Sequence, residues 1–262
     1  MSLLVPDAPE TPVHHASSST APNGKRWWIV GGIAAAMVVL AGVAIWYFVF
    51  RDTAPPPVDI EKAVESVGSA DAASPGQGSL SGTWAVDTSV GSFDDFSGTF
   101  VGYRVNEELV GVGAKTAFGR TPDVSGTMTI DGSTATEVDV VADLSTLESD
   151  EAFRDGTIGN QAIETDRFPK ATFTLTEPID FQSVPADGEA VSVDAKGTLT
   201  LHGVTRDVTV PLQAKLVNDV IVVTGQIDVA FADYGIEKPV AARVLSIEDR
   251  GVMELQLFFT KQ

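Results

Sequence analysis

Cysteine is absent from the 262 residues, which removes disulfides, thiolate metal sites, a cysteine nucleophile and a lipidated-cysteine anchor. Basic residues are scarce: 17 Lys and Arg stand against 36 Asp and Glu, a formal net charge of −19. Such a surplus repels nucleic-acid phosphates and anionic lipid head groups alike, so no nucleic-acid partner is expected. Histidine is limited to three residues. His14 and His15 are adjacent near the amino terminus, too few ligands for a firm metal site, and His202 stands alone much further along. The motifs G-x-S-x-G, a glycine-rich phosphate loop, H-E-x-x-H and calcium-loop spacing are all missing. Nucleophilic, nucleotide-dependent and zinc chemistry thus lack their parts, and no catalytic residue, metal or cofactor is expected.

Carboxylate neighbours that could do acid–base work occur at Asp94-Asp95, Asp139 to Asp143 and Glu148 to Glu151. Residues 80–262 hold 29 of the 36 acidic and 13 of the 17 basic side chains. In so acidic a stretch such neighbours arise as solvated surface, and an enzymatic reading ranks last.

What is present divides the chain into four. Residues 1–26 carry Pro, Ser and Thr without apolar periodicity and read as a cytoplasmic tail. Trp27 to Phe50 is apolar without one charge, long enough for a hydrocarbon core about 30 Å thick. Trp27, Trp28, Trp46 and Tyr47 sit near its ends as interfacial aromatics do. The run is too long for the core of a cleaved signal peptide and ends in bulky residues, so it reads as a retained single-pass anchor. Lys25 and Arg26 before it, against Arg51 beside Asp52 after it, place the amino terminus inside and the remainder outside the cytoplasm. Residues 51–79, with Pro55, Pro56 and Pro57 in succession, read as a stalk in which Val58 to Val67 has the pattern of one or two helical turns.

Residues 80–262 form the folded domain. Val191, Val193, Ala195, Gly197, Leu199 and Leu201 alternate with polar residues, and Val208, Val210, Leu212, Ala214 and Leu216 resume the pattern after His202-Gly203. Two period-two runs joined by a turn are a β-hairpin. Further strands are expected at Gly82 to Asp87, Gly98 to Asn106, Gly113 to Phe118, Val124 to Asp131, Thr136 to Leu144, Ala171 to Thr176, Val220 to Phe231 and Gly251 to Thr260. Only Leu147 to Ile163 reads as helical, broken by Gly156 and Gly159. Antiparallel strands with one apolar face either stack as a sandwich or close as a barrel, and periodicity does not choose. A barrel of about eight strands has room for side chains or one small ligand. Aromatic and apolar residues that would line such a pocket are Trp84, Phe100, Phe118, Phe153, Ile158, Phe168, Phe173 and Phe231.

Four ordered motifs resemble the YceI-like family. Leu199-Thr200-Leu201-His202-Gly203-Val204-Thr205-Arg206-Asp207-Val208 is similar to its L-T-[IL]-x-G-V-T-[KR]-x-V signature. Leu144-Ser145-Thr146-Leu147 leads to Arg154-Asp155, Asp166 to Phe173 matches D-x-[FY]-P-x-[AI]-x-F, and Asp233-Tyr234-Gly235-Ile236 resembles a fourth element. Where members often carry an aromatic pair, this chain has Gln161-Ala162-Ile163-Glu164. The resemblance implies an extended antiparallel lipocalin-like β-barrel with one or two short helices, here preceded by the transmembrane helix. It further implies a long-chain isoprenoid, quinone-like or fatty ligand, held without catalysis, and a homodimer. The competing reading is an adhesion or envelope-assembly module that works through the acidic outer face.

Overall fold

The computed structural model describes residues 24–51, 54–68, 79–182, 185 and 188–262. The chain forms two units, residues 1–51 and 52–262. His14 and His15 lie outside the described residues. In the first unit, α1 (Gly24–Phe50) is one continuous helix that includes the expected span. Its side chains are described at 32–33 and 36–47, and over the described residues no helix is both long and apolar enough to cross a membrane. The span therefore remains a reading of the sequence.

The second unit contains twelve described strands: β1 (Gly82–Val86), β2 (Phe100–Leu109), β3 (Gly113–Thr121), β4 (Val124–Asp131), β5 (Thr134–Asp143), β6 (Lys170–Leu175), β7 (Ile179–Asp180), β8 (Ala190–Leu201), β9 (Val204–Val217), β10 (Val220–Ala230), β11 (Val244–Ile247) and β12 (Arg250–Lys261). Of these, β7 and β11 span only two and four residues, too short to declare a period in the sequence. Eight strands close in the order β1–β4–β5–β6–β8–β9–β10–β12, with β12 returning to β1, and every pairing is antiparallel. The domain is a barrel, not a sandwich. Closure leaves these strands no free edge, which protects a mainly β protein from edge-to-edge association.

The length of β12 makes this closure possible. Its last residues pair with β1, Val86 opposite Phe259, while its first half pairs with β2, Phe100 opposite Gln256 and Arg104 opposite Val252. The β2–β3 hairpin thus extends the barrel wall beyond β1, and β11 lengthens it further beside Leu109. At about 3.3 Å per residue, the 14-residue β9 makes this an elongated barrel. One end carries the β4–β5 and β9–β10 turns. The opposite, helical end carries the 3₁₀ turn Leu144–Thr146, α3 (Ala152–Thr157), the π-helical turn Ile158–Ala162, the His202-Gly203 turn and the segment after the 3₁₀ turn Phe231–Tyr234.

The stretch expected as a stalk packs in part on the barrel. Residues Ile60–Gly68 form α2, whose buried Ile60, Ala63 and Val67 recur on one helical face. Asp59 caps it, its Oδ1 accepting from the backbone N–H groups of Glu61 and Lys62, both at 3.1 Å. That face lies on the outside of the barrel against Val222 and Phe258, and Lys215 pairs with Glu61 at 2.9 Å. An outer aromatic layer continues beside it. Phe96 meets Phe93, Phe100 and Phe118 edge-on at 5.5, 6.2 and 6.0 Å between centroids. Gln256 Nε2 clamps the intervening loop by donating to the carbonyls of Phe96, Ser97 and Gly98.

Candidate functional site

Alternation within β12 sends Met253, Leu255, Leu257 and Phe259 inward and Glu254, Gln256 and Phe258 outward. The inward rows of the other strands do the same, and the barrel axis is left partly open as two chambers. At the turn end a cavity of about 140 Å³ is walled by Met128, Ile130, Phe173, Val193, Leu212 and Phe259 among others. Among the described residues, its polar or charged lining residues are Thr172, Glu189 and Lys215. At the helical end a cavity of about 610 Å³ lies between β2, β12, the helical insert and residues 236–247. Val101, Ala171 and Met253 line both, so three apolar side chains form the waist between the chambers. A water molecule gains no hydrogen bonds from such walls, whereas an alkyl or prenyl chain exchanges water for them.

The larger chamber has a polar side. Successive inward positions of β2 place Val101, Tyr103, Val105, Glu107 and Leu109 along it. Arg154, on α3, reaches across to Glu107 Oε1 at 3.3 Å and to Asp150. Burial works against the Arg154 charge, but the hydrogen bond and charge of Asp150, with Glu107, more than offset it and hold the guanidinium above its ordinary range. Burial likewise pushes the Tyr103 phenol well above the usual tyrosine value, so it stays a neutral O–H. Its ring lies flat against Gly119, where a Cβ would come within 2.5 Å of Cε1.

His202 holds the helical end together. His202 and Gly203 have φ of 51° and 71°, the left-handed pair that a tight hairpin turn needs. The ring places Nδ1 3.0 Å from the Tyr234 carbonyl and Nε2 3.0 Å from Glu164 Oε2, and packs edge-on to Phe168 at 4.5 Å. The turn histidine therefore ties β8–β9 to the insert and to the Phe231–Tyr234 turn.

The eight residues expected to wall a pocket separate into two groups. Phe173 lines the smaller chamber, and Phe153, Ile158 and Phe231 the larger one. The other four pack elsewhere. Trp84 is buried in the inner core, its Nε1 donating to the Leu80 carbonyl at 2.9 Å, without reaching either chamber. Phe100 and Phe118 point outward, into the layer around Phe96. Phe168 packs on His202 and on Gly203, whose hypothetical Cβ would stand 2.6 Å from its ring. Tyr103 and Glu107 are not among the eight, although the period-two register from Val101 places them on the apolar face.

The acidic neighbours have structural partners. Asp95 accepts from Ser97 N–H, Asp139 from Thr174, and Asp143 from Ser145 as the cap of the first 3₁₀ turn. Asp150 holds Arg154. Among the described residues no three His, Asp or Glu side chains gather as a metal site.

The profile of the YceI-like domain matches residues 84–259. The chain belongs to the YceI-like family. Protein YceI of Shigella flexneri is 34% identical over 121 residues, which cover 45% of this chain and 56% of the relative. Protein YceI of Salmonella arizonae is 33% identical over 120 residues with the same two shares, 45% and 56%. The chain thus spans little more than half the length of these curated relatives. A polyisoprenoid binding domain from Saccharophagus degradans, implicated in plant cell wall breakdown, has a similar fold. Its TM-score is 0.53 at 20% identity, over 69% of this chain and 98% of that one.

Proposed function

We propose that the YceI-like barrel binds one long-chain hydrophobic molecule, an isoprenoid, quinone-like or fatty amphiphile, and carries or sequesters it. The observation that carries this reading is the continuity of apolar lining across the waist at Val101, Ala171 and Met253. Burial of apolar surface contributes roughly 25 cal/mol per Å², so a chain threaded through the waist is held with few polar contacts. No step of bond making is needed. The fold shared with a polyisoprenoid binding domain supports the same ligand class.

The protein is held in the cell membrane by Trp27 to Phe50, with the amino terminus in the cytoplasm and the barrel outside. Support comes from the charge-free apolar run and from Met37, Val38 and Leu40, all exposed on α1. Native mass spectrometry of the full chain, released from lipid nanodiscs, tests the ligand. A hydrophobic adduct that organic extraction removes is expected; a protein that never carries one sinks the reading. The same spectrum counts subunits, where a homodimer is expected. Resistance of the chain to alkaline carbonate extraction tests the anchor.

A further inference from the structure

The larger chamber is apolar over most of its wall but polar along one side of β2, and a purely hydrocarbon ligand has no use for that side. Tyr103 sits opposite Met253 in register, at the chamber's inner limit beside the waist. Its O–H enters no hydrogen bond among the described residues, and Gly119 beneath the ring fixes where the hydroxyl can be. Four residues nearer the mouth, on the same inward row, Glu107 offers a largely buried carboxylate whose Oε1 accepts from Arg154. The phenol, Glu107, Arg154 and Asp150 are close enough to influence one another electrostatically.

The charges here decide what kind of polar end fits. Arg154 is shared between two carboxylates, Glu107 and Asp150, and so has no net positive charge to offer. The chamber lining sets Glu107, Glu151 and Glu237 against Arg154 and Arg243. A phosphate or carboxylate entering would lose its water and meet a surplus of its own sign. A hydroxyl or carbonyl oxygen loses little water and accepts from the neutral phenol, while the Glu107 carboxylate, four residues nearer the mouth, repels an anionic end from the same chamber.

We infer that Tyr103 and Glu107 form the station for the polar end of the ligand, and that they select an uncharged, oxygen-bearing amphiphile (a long-chain alcohol, phenol or quinone) over its phosphorylated counterpart. The inference rests on the hydrophobic-ligand reading above. The tail passes the waist at Met253 into the smaller chamber, and the oxygen stays beside Tyr103.

The experiment offers the full chain, in lipid nanodiscs, an equimolar mixture of a polyprenol and its monophosphate of the same chain length. Adducts are then counted by native mass spectrometry. Wild type should carry the alcohol at least about tenfold more often than the phosphate, and Tyr103→Phe should lower alcohol occupancy about fivefold. Glu107→Gln, an isosteric change, should bring the two adducts to within about threefold of each other by removing the repulsion. Thermal unfolding alongside shows that both variants are folded. Equal or phosphate-rich loading of wild type overturns the selectivity, and unchanged ratios in both variants overturn its assignment to these residues; either leaves the hydrophobic-ligand reading standing. Loading by neither probe overturns the selectivity, while the hydrophobic-ligand reading falls only if the full chain also never carries an extractable adduct.

Discussion

Both faces of β12 are largely hidden from water but are buried by different means. Inward, Leu257 and Phe259 border a chamber, and their burial comes from the barrel closing on itself. Outward, Glu254 and Phe258 have 0% exposure because α2 and the Phe93–Phe96 loop lie on top of them. On that outer face the Arg120 guanidinium lies 4.5 Å from the centre of the Phe96 ring and 4.1 Å from that of Phe100, and it gives two hydrogen bonds to Glu254 Oε1, at 2.8 and 2.7 Å. It also meets the Pro56 carbonyl at 3.4 Å, while Arg104 meets that of Pro55 at 2.6 Å. Glu254 Oε2 has no partner among the described residues. Both faces thus carry buried aromatics, but the two chambers described lie on the inner face. A buried aromatic marks a core; it marks a pocket only where something is left unfilled.

The largest effect should come from breaking the outer ion pair. Arg120→Ala strands Glu254 without a counter-charge in a fully buried place and should cost about 3–5 kcal/mol in urea unfolding. Replacing both partners, Arg120→Met with Glu254→Leu, should recover most of that loss, because the desolvation cost goes with the charges. Ligand loading of the folded protein should be unchanged in both. A loss of loading without a loss of stability would erase the distinction between the faces.

A paired truncation measures the same distinction at smaller scale. Phe258→Ala removes a ring enclosed on all sides and should cost about 3–5 kcal/mol without altering ligand adducts. Phe173→Ala removes a ring that packs over Gly197 but borders open space, so fewer contacts are lost and the cost should be about 2 kcal/mol. Its effect should fall instead on the native mass spectrum, where hydrophobic adducts become fewer. Equal unfolding costs for the two would show that the smaller chamber is a packed core.

Period two was enough to place ten strands, because each strand with one wet face repeats its apolar residues at every second position. The barrel's second layer was hidden for the same reason. In β2, Phe100 begins the outward row and Val101 the inward one, so both rows are apolar at that point. What decides between them is cover supplied by residues 54–68 and 93–98, distant in sequence from the carboxy-terminal strand they bury. The spacing of Ile60, Ala63 and Val67 did advertise a helix with one apolar face, but its prolines and small residues resemble a linker, and only the outward Val222 and Phe258 reveal a place for it to dock. Tyr103 and Glu107 were legible in register. Their chemistry was not, since it depends on Arg154 arriving from an insert 47 residues further along.

The smallest predicted effect concerns the seam where the chamber's helical end is tied to the barrel. Glu164 accepts from His202, which lowers its pKa below the ordinary 4.5, with Arg167 acting in the same direction. Since the folded value is depressed, this carboxylate adds stability that is fully present above the usual carboxylate range and is lost as pH falls through the folded value. Both ring nitrogens of His202 face oxygens, the Tyr234 carbonyl and Glu164, so the carboxylate is tied through the ring to the Phe231–Tyr234 turn. Glu164→Gln should therefore be slightly less stable than wild type near pH 6, with the difference closing near pH 3 as the wild-type carboxylate takes up its proton. Denaturation midpoints at the two pH values provide the check. Because Ile163 and Leu201 flank this contact and line the larger chamber, ligand loading should fall together with that small stability term. A stability difference that persists unchanged to pH 3 would remove the seam from the account of how the inner face is kept in shape.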